Sequence, residues 1–396
     1  MIRKFVIMAL RLTCLALAAV SCIYPFTPET EDGSGALVIE GDILIGKETV
    51  VQISRTAPID NPEFGGDYPS GKVWVEDNAG TVYNGEAVPD TPGKYTVDTR
   101  YAPSSREYCL HFIDNDSGKE YVSAFEPVCS APVIDSLSYN LNYEKQKLNI
   151  ALSMHSLKES FFKWSYVEDW EYHSDFYDEI KYVPPVNWGN GQIVFLKYDD
   201  QHTFTCYKHA VSSRIMIFST ENQTDDRFVD LEFLPIDRTD NRISYLYRIV
   251  VDLEPLTKDA YLYWDNVKAN SDYTGDLFAP NPSELVGNIR CIQDPDELVM
   301  GYINVAEIAR KHLVVDYIDH CFWKNPNGLI ETVTLGPSDW RKYYDTEGYL
   351  PYSTVNPGDV SQTYWAPARC VDCRRWGGTL EKPEDWPPEE FLNRYY

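Results

Sequence analysis

The chain has 396 residues, of which 61 are Asp or Glu and 35 are Lys or Arg, so its formal net charge is −26 at pH 7. So acidic a balance argues against binding to nucleic acid and against direct attraction to anionic lipid head groups. The length is ample for two or three domains, and the 29 Tyr, 16 Phe and 10 Trp favour β-structure.

The first segment predicts export. Residues 1–21 combine a basic start, an apolar stretch and the small-residue run Ala18-Ala19-Val20-Ser21, which ends directly before Cys22. This order is typical of a secretory signal peptide. The run also resembles a bacterial lipobox, in which the cysteine is acylated and becomes the mature N-terminus. We therefore predict a lipoprotein signal peptide over residues 1–21 and lipidation at Cys22; the alternative is an ordinary signal peptide followed by an incidental cysteine.

Residues 22–35 are rich in Pro, Thr, Glu and Gly and cannot bury enough apolar surface to fold, so we interpret them as a lipidated tether. A lipid anchor of this kind would hold the protein on a membrane without a transmembrane segment. Glu29, Glu31 and Asp32 resemble the acidic signal that sends Bacteroidota lipoproteins to the cell surface, although they begin later than in that pattern.

Residues 36–131 predict a unit of short strands with no helical period. Val73-Trp74-Val75 and Thr81-Val82-Tyr83 flank the turn Asp77-Asn78-Ala79-Gly80, which is typical of a hairpin. We interpret the unit as an immunoglobulin-like β-sandwich. A second turn, Asp114-Asn115-Asp116-Ser117-Gly118, has carboxylates that could bind calcium, but the rest of a calcium loop is missing, and we favour turn chemistry.

Residues 132–396 predict a larger antiparallel β domain, so the fold class is mainly β. In its clearest strand, alternate positions are aromatic: Phe162, Trp164, Tyr166, Trp170 and Tyr172. The positions between them are polar: Lys163, Ser165, Asp169, Glu171 and His173. Because side chains alternate along a strand, the aromatic set should face the core and the polar set water. The acidic residues could instead form a catalytic pair, but we favour a solvated strand face.

One α-helix is predicted inside this domain, near residues 257–270. Thr257 can cap its N-terminus, and Ala260, Trp264 and Val267 lie at helical spacing. A helix of this length is marginal alone, so we expect Trp264 to be buried against the domain. From about Asn325 onward the chain is rich in Pro, Gly and Trp, which predicts a loop-rich C-terminal region.

Several motifs in fixed order carry a resemblance to one family. They are Leu37-Val38-Ile39-Glu40-Gly41, Ser54-Arg55-Thr56, Pro132-x-Ile134-Asp135-Ser136-Leu137, Ala260-Tyr261-x-Tyr263-Trp264, Thr274-Gly275-Asp276-Leu277-Phe278, Gly287-Asn288-Ile289, and Cys370-x-x-Cys373-Arg374 before Gly377-Gly378-Thr379. Over nearly the whole mature chain the protein resembles the Bacteroidota outer-membrane lipoproteins of domain-of-unknown-function family 4249, often encoded beside TonB-dependent receptors. The resemblance implies an outer-membrane location and a transporter partner, and it brings no catalytic residues.

Seven cysteines follow Cys22, and export places them where disulfides persist. Cys370-x-x-Cys373 has a redox or half-zinc spacing, but a thioredoxin-like site needs a βαβ setting and a zinc site needs a second pair. We therefore predict structural disulfides of open connectivity among Cys206, Cys321, Cys370 and Cys373. An odd number leaves at least one of the seven unpaired within the chain.

The sequence lacks a Gly-rich phosphate loop, Gly-x-Ser-x-Gly and His-Glu-x-x-His, and we predict no catalytic residue, cofactor or metal site. Three functional classes remain. The favoured class is a surface-exposed, non-catalytic binding or accessory partner of a TonB-dependent transporter in nutrient uptake. The alternatives are a glycan- or peptide-degrading hydrolase and a cell-envelope adhesin. Two carboxylates about 5–10 Å apart in a pocket would favour the hydrolase.

Overall fold

A computed structural model describes residues 35–56, 67–223, 225–272, 287–326 and 328–388. The predicted signal peptide, Cys22 and almost all of the predicted tether lie outside these residues. Strands dominate the described part of the chain, and the mainly β class is confirmed. None of the helices in the described ranges is long and apolar enough to cross a membrane.

The first unit is built on a ten-stranded sheet. Its strands are β1 (Leu37–Glu40), β3 (Glu48–Arg55), β4 (Gly71–Asp77), β5 (Val82–Ala87), β6 (Lys94–Asp98), β7 (Glu107–Asp114), β8 (Glu120–Ser123), β9 (Glu126–Pro127), β19 (Ile289–Cys291) and β20 (Val299–Met300). They pair in the order β19-β8-β7-β4-β5-β6-β3-β1-β20, with β9 on β7. Alternate residues such as Val51 and Ile53 of β3 enter one apolar core, as the period of two predicts.

The predicted division at residue 132 needs a correction, because a later segment, residues 289–306, returns to the first unit. We call it the returning segment. Strands β19 and β20 pair with β8 and β1, and β21 (Val305–Ala306) runs parallel to β2 (Ile43–Leu44). Val299, Ile303 and Val305 belong to the first core. Backbone hydrogen bonds join the strands of the first unit into one continuous sheet. This connectivity does not identify a sandwich of two sheets, so the immunoglobulin-like sandwich stays a prediction.

The second unit places two sheets around one apolar cluster. A three-stranded sheet contains β10 (Val133–Asn142), β11 (Lys147–His155) and β17 (Arg227–Asp237). The five-stranded sheet contains β12 (Phe161–His173), β15 (Thr205–Val211), β16 (Met216–Ser219), β18 (Leu246–Pro255) and β22 (Ala309–Asp316). Phe162, Trp164, Trp170 and Tyr172 of β12 face this cluster, as their shared parity predicts.

The C-terminal region is more regular than its composition predicts. Strands β23 (Val333–Leu335), β25 (Asp359–Pro367) and β24 (Tyr349–Asn356) form a sheet in that order. The hairpin of β13 (Ile180–Val183) and β14 (Gln192–Phe195) packs beside it, and Tyr182, Trp340 and Trp365 form their shared core. Pro and Gly residues suggested loops here, but the aromatic residues between them supply enough burial for strands.

Helix α1 runs from Lys258 to Asp272, close to the predicted range. Thr257 caps it, because its hydroxyl oxygen accepts the amide hydrogen of Ala260 at 3.2 Å. Trp264 is half-buried, less than we expected, in a cluster with Leu256, Ala260 and Tyr302. The remaining helices are single turns: α2 (Tyr317–His320), α3 (Trp340–Lys342), α4 (Ala368–Val371), 3-10 turns at Asn241–Ile243 and Cys373–Trp376, and a π turn at Tyr343–Glu347.

Candidate functional site

An open groove of about 550 Å³ lies on the face of the five-stranded sheet that points away from the aromatic cluster. Its floor comes from β12, β15, β18 and β22, and its wall from residues 379–384 near the C-terminus. The groove brings both signs of charge together, Lys208, Arg248, Arg310 and Lys382 with Asp169, Asp252, Glu381 and Glu384, and His209 lies among them. We take this groove as the candidate binding site.

One row of the floor is an ionic triplet across three strands. The register places Asp169 of β12 opposite His209 of β15 on one side and Arg248 of β18 on the other. The Asp169 carboxylate lies 2.8 Å from Nδ1 of His209 and accepts hydrogen bonds of 2.8 and 3.2 Å from Arg248. Asp169 is buried, whereas the His209 side chain is 61% exposed. The triplet therefore presents a fixed imidazole edge to the groove.

The prediction that Asp169 faces water is wrong in one respect. Its parity is as predicted, but the carboxylate is covered by its partners and is only 4% exposed. The same correction applies to Glu171, whose carboxylate accepts a 2.8 Å hydrogen bond from the indole nitrogen of Trp386. Trp386, which covers Glu171, lies more than 200 residues later in the chain. Neither residue is a solvated surface acid.

A second row of the floor lies toward the other end of the groove. Asp252 of β18 faces Ser165 on β12 and Arg310 on β22. Arg310 donates two hydrogen bonds of 2.6 Å to the Asp252 carboxylate, which raises the pKa of the guanidinium. Between the two ionic rows the register sets Val167 beside Val250. The floor is therefore polar, then apolar, then polar along the strand direction.

The two floor carboxylates are well separated. Asp252 stands four residues along β18 from Arg248, which is the partner of Asp169. At a rise of about 3.4 Å per residue, four residues span about 14 Å. Two-carboxylate glycoside hydrolysis uses separations of about 5–10 Å and an acid of raised pKa. Each of these carboxylates is instead hydrogen-bonded to an arginine, and their separation exceeds that range, so they do not form an acid–base pair of this type.

The C-terminal segment forms the wall through backbone and side-chain contacts. Tyr207 and Thr379 exchange backbone hydrogen bonds of 2.8 and 2.9 Å. The carbonyl oxygen of Glu384 accepts a hydrogen bond of 3.2 Å from Arg248, whose guanidinium also lies 5.6 Å from the ring centroid of Trp386. Arg248 therefore joins the floor of the groove to its wall.

A disulfide fixes the start of this wall. Cys206 on β15 and Cys373 form the bond, with 5.7 Å between their Cα atoms. It closes a loop of 167 residues and ties the segment that leads to Thr379 onto the edge of the sheet. Two of the four predicted disulfide candidates are thus brought together.

The other two candidates are not bridged, which corrects the prediction for Cys321 and Cys370. Cys321 follows α2 in a left-handed backbone conformation and is exposed. Cys370 is buried on α4, and burial raises the pKa of its thiol to about 11. Neither forms a disulfide within the described residues, and the short Cys370-x-x-Cys373 spacing does not pair because Cys373 reaches across to Cys206 instead.

A buried charge cluster, missed in the sequence, lies where the first and second units meet. Lys163 on β12 contacts Asp42, which lies between β1 and β2, at 2.5 Å and Glu254 on β18 at 2.9 Å. Asn304, from the returning segment, donates its side-chain amide to Glu254 at 2.9 Å and its backbone amide to Asp42 at 3.1 Å. The parity of β12 placed Lys163 on a water-facing row, and it gave no sign of this partner set.

Burial and the neighbouring Asp42 raise the pKa of Glu254 to about 7, against the opposing influence of Lys163. The pKa of Lys163 is also raised, because the two carboxylates outweigh the effect of its burial. These two directions are compatible, since one cation faces two carboxylates. Lys163 stays charged, and Glu254 is a carboxyl group whose pKa lies close to neutral pH. Such a cluster suits the joining of two units better than catalysis, because none of its members lines the groove.

No group of three or more His, Cys, Asp or Glu side chains within the described ranges is arranged to hold a metal ion. The predicted turn at Asp114 is present instead of a calcium loop. The Asp114 carboxylate accepts hydrogen bonds from the Asp116 amide at 3.0 Å and the Ser117 hydroxyl at 2.8 Å, and it pairs with Arg55 at 3.0 Å. These contacts are those of a capped turn.

Two solved structures have a weak likeness to this chain. A DUF4785 family protein from Legionella pneumophila is 10% identical, with 55% of this chain and 52% of that chain covered and a TM-score of 0.17. A biofilm associated protein BSP domain is 9% identical, with 72% and 60% covered and a TM-score of 0.13. The chain thus spans about half to three fifths of the length of these proteins. Scores this low carry no argument about fold or function.

No match was found among curated proteins. The model of one family, described as "Domain of unknown function (DUF4249)", matches residues 23–312, which is well over half of the chain. That span contains the first unit, the returning segment and most of the groove floor. The chain therefore belongs to the DUF4249 family.

Proposed function

We propose that the protein is a surface-exposed outer-membrane lipoprotein that binds a nutrient in the groove and assists a TonB-dependent transporter in its uptake, without catalysing its cleavage. The observation that carries the binding role is the row His209–Asp169–Arg248 on the groove floor. Its members are held by one another before any ligand arrives, so binding would not have to order them.

The chemistry of the floor favours an extended polar ligand such as an oligosaccharide or a peptide. Two polar rows separated by Val167 and Val250 offer hydrogen-bonding groups at both ends and apolar contact between them. The groove is open rather than enclosed, which suits a chain-like ligand better than a compact one. The wall segment adds Glu381, Lys382 and Glu384 at one side.

The partnership with a transporter and the location at the outer membrane rest on the family resemblance and on the predicted lipidation of Cys22. They are tested by purifying the protein from native outer membranes after mild cross-linking and identifying what accompanies it by mass spectrometry. We expect a TonB-dependent receptor in near-stoichiometric amount. A protein recovered alone from membranes, or recovered from the soluble fraction, would contradict this part of the proposal.

The binding role is tested on the purified protein with a panel of oligosaccharides and peptides, scored by native mass spectrometry. His209→Ala should weaken binding of any ligand found by about tenfold, since it removes one positioned hydrogen-bonding group. His155→Ala is the matched control, because His155 forms a similar His–Asp pair with Asp135 at 2.9 Å outside the groove. Equal effects of the two substitutions would refute the groove as the site, and cleavage of a panel member would favour the hydrolase.

A further inference from the structure

The hairpin of β13 and β14 carries several exposed apolar side chains at its tip. Val186 and Trp188 in its loop are 98% and 95% exposed, and Val183, Val194 and Phe195 are also exposed on the strands below. Large apolar side chains are rarely left so open on a single projecting element unless something covers them. The tip is distinct from the groove, and the inference rests on the proposed lipid anchor at Cys22 but not on ligand binding in the groove.

Charge is absent from the tip and returns at its base. No residue from Tyr182 to Leu196 is charged, although 24% of the whole chain is. The first charged residues on either side are Lys181 and Lys197, both exposed. Tyr198, next to Lys197, is 97% exposed. An apolar tip bounded by lysines and an aromatic residue has the order found at the surface of a lipid bilayer.

The base of the hairpin is firmly held, so the tip has a defined direction. Tyr182 packs in the aromatic core with its ring centroid 5.6 Å from that of Trp365. Its hydroxyl donates a hydrogen bond of 2.9 Å to the carbonyl oxygen of Asn190 in the loop. Gly191 has a φ of +76°, and a Cβ atom there would lie 2.5 Å from the Tyr182 ring. The loop therefore closes over Tyr182, and Trp188 is left facing outward.

We infer that this tip inserts into the interfacial layer of a lipid bilayer and gives the protein a second contact with the membrane. Trp is enriched at that layer, because its ring is apolar while its N–H remains solvated there. The absence of charge means that no ionised group has to be desolvated on entry. Lys181 and Lys197 can extend their ammonium groups to the lipid phosphates.

A protein partner fits the tip less well. One Trp contributes at most about 250 Å² of buried surface, and the valines beside it contribute less each. A stable protein interface needs about 800 Å² on each partner, with a packed centre and a polar rim. The loop of the hairpin alone does not supply that area, whereas a bilayer needs only that the tip be apolar. The acidic chain as a whole points to zwitterionic lipid surfaces, not anionic ones.

The test uses the full chain attached to phosphatidylcholine vesicles. The emission of Trp188 is obtained as the difference between the native protein and Trp188→Phe, in vesicles with and without bromine on the lipid chains. We expect the Trp188 emission to lie at short wavelength, to lose most of its intensity in brominated vesicles, and to resist quenching by aqueous iodide. Adding anionic lipid should not increase the effect.

The control places a reporter on another exposed turn. Tyr101 is 92% exposed, so Tyr101→Trp in the Trp188→Phe background gives a Trp of similar exposure elsewhere on the surface. Its emission should be quenched by iodide and not by bromine. Val186→Asp should expose Trp188 to iodide at an unchanged melting temperature. Identical quenching of the Trp188 and Tyr101→Trp reporters would overturn the inference, as would protection of Trp188 in native membranes but not in lipid vesicles, which would indicate a protein partner.

Discussion

Replacing Lys163 with Met should destabilise the protein strongly and in a pH-dependent way. Met has a similar length and no charge, so the change removes the cation while filling most of its space. It leaves Asp42 and Glu254 buried together without the ammonium group that lies 2.5 and 2.9 Å from them. The ring of Trp264, 4.7 Å from the Lys163 nitrogen, loses its cation as well.

The expected loss in the free energy of unfolding follows from the burial of Asp42 and Glu254. Removing one partner of a buried ion pair costs about 3–5 kcal/mol, because the remaining charge has no compensation. In the variant both carboxylates can avoid this cost by binding protons, and a tenfold change in proton affinity between the folded and unfolded states corresponds to about 1.4 kcal/mol. The loss should therefore be about 3–5 kcal/mol at pH 8 and smaller by about 2 kcal/mol or more at pH 5.

The free energy of unfolding of the native protein should also fall as the pH rises, but by less than that of the Lys163→Met variant. The pKa of Glu254 is raised to about 7 in the folded state, from a usual value of 4.5. The folded state therefore binds this proton more tightly than the unfolded state does. Its stabilising contribution is fully present below about pH 4.5 and is lost as the pH rises through about 7. Glu254→Gln, which stays neutral, should flatten this part of the pH profile.

Urea unfolding at pH 5 and pH 8 measures these effects as free energies of unfolding. Lys158→Met is the control, since Lys158 pairs with Glu159 at the surface and its side chain is 67% exposed. That variant should lose less than about 1 kcal/mol at both pH values. A loss below about 1 kcal/mol for Lys163→Met, or an equal loss at pH 5 and pH 8, would refute the account of a buried carboxylate pair.

Further substitutions test the disulfide, the helix and the anchor. Cys206→Ala with Cys373→Ala should lower the free energy of unfolding by about 2–5 kcal/mol and abolish its sensitivity to dithiothreitol, because the bridge closes a long loop; an unchanged sensitivity would exclude this pairing. Trp264→Ala should cost about 2–3 kcal/mol, below the range for fully buried aromatic residues because Trp264 is half-buried; an unchanged melting temperature with loss of ligand or partner binding would make it a recognition residue. Cys22→Ala should remove the acyl mass from the N-terminal peptide and release the protein from the membrane fraction, and retention of both would contradict lipidation.

Features that depend only on neighbouring residues along the chain could be predicted from the sequence. The alternation of aromatic and polar residues from Phe162 to His173 gave both the strand and its core face, because side chains alternate between the two faces of a strand and the aromatic set shares one of them. Thr257 predicted the start of α1 through its hydroxyl group. Both features require only the nearest residues along the chain.

Contacts between residues that are far apart in the sequence could not be predicted from such patterns. Strands β19, β20 and β21 have two or three residues each, too few to show a period, and they exist because β8, β1 and β2 pair with them. For the same reason the burial of Asp169 could not be foreseen. Its parity is that of a surface residue, and its cover is an arginine on β18 and an exposed histidine on β15.

The disulfide illustrates a different limit. Four cysteines allow three pairings of two bonds each, and sequence spacing favours none of them unless the fold is known. The structure joins Cys206 to Cys373 because β15 forms the edge of the five-stranded sheet and residue Thr379 extends that edge. The bond follows from where the C-terminal segment crosses the sheet, and it then helps to hold the wall of the groove.

The buried charges and the groove belong to the same two strands, which connects the junction to the candidate site. Lys163 and Glu254 are opposite each other on β12 and β18, six residues along β12 from Asp169 and six along β18 from Arg248. Asn304 joins their end of the strands to the first unit through Asp42 and Glu254. The junction between the two units and the floor of the groove therefore share strands β12 and β18. The row at Asp169 depends on the register of β12, β15 and β18, because His209, Asp169 and Arg248 are cross-strand partners and a slip of one residue would turn each side chain to the other face.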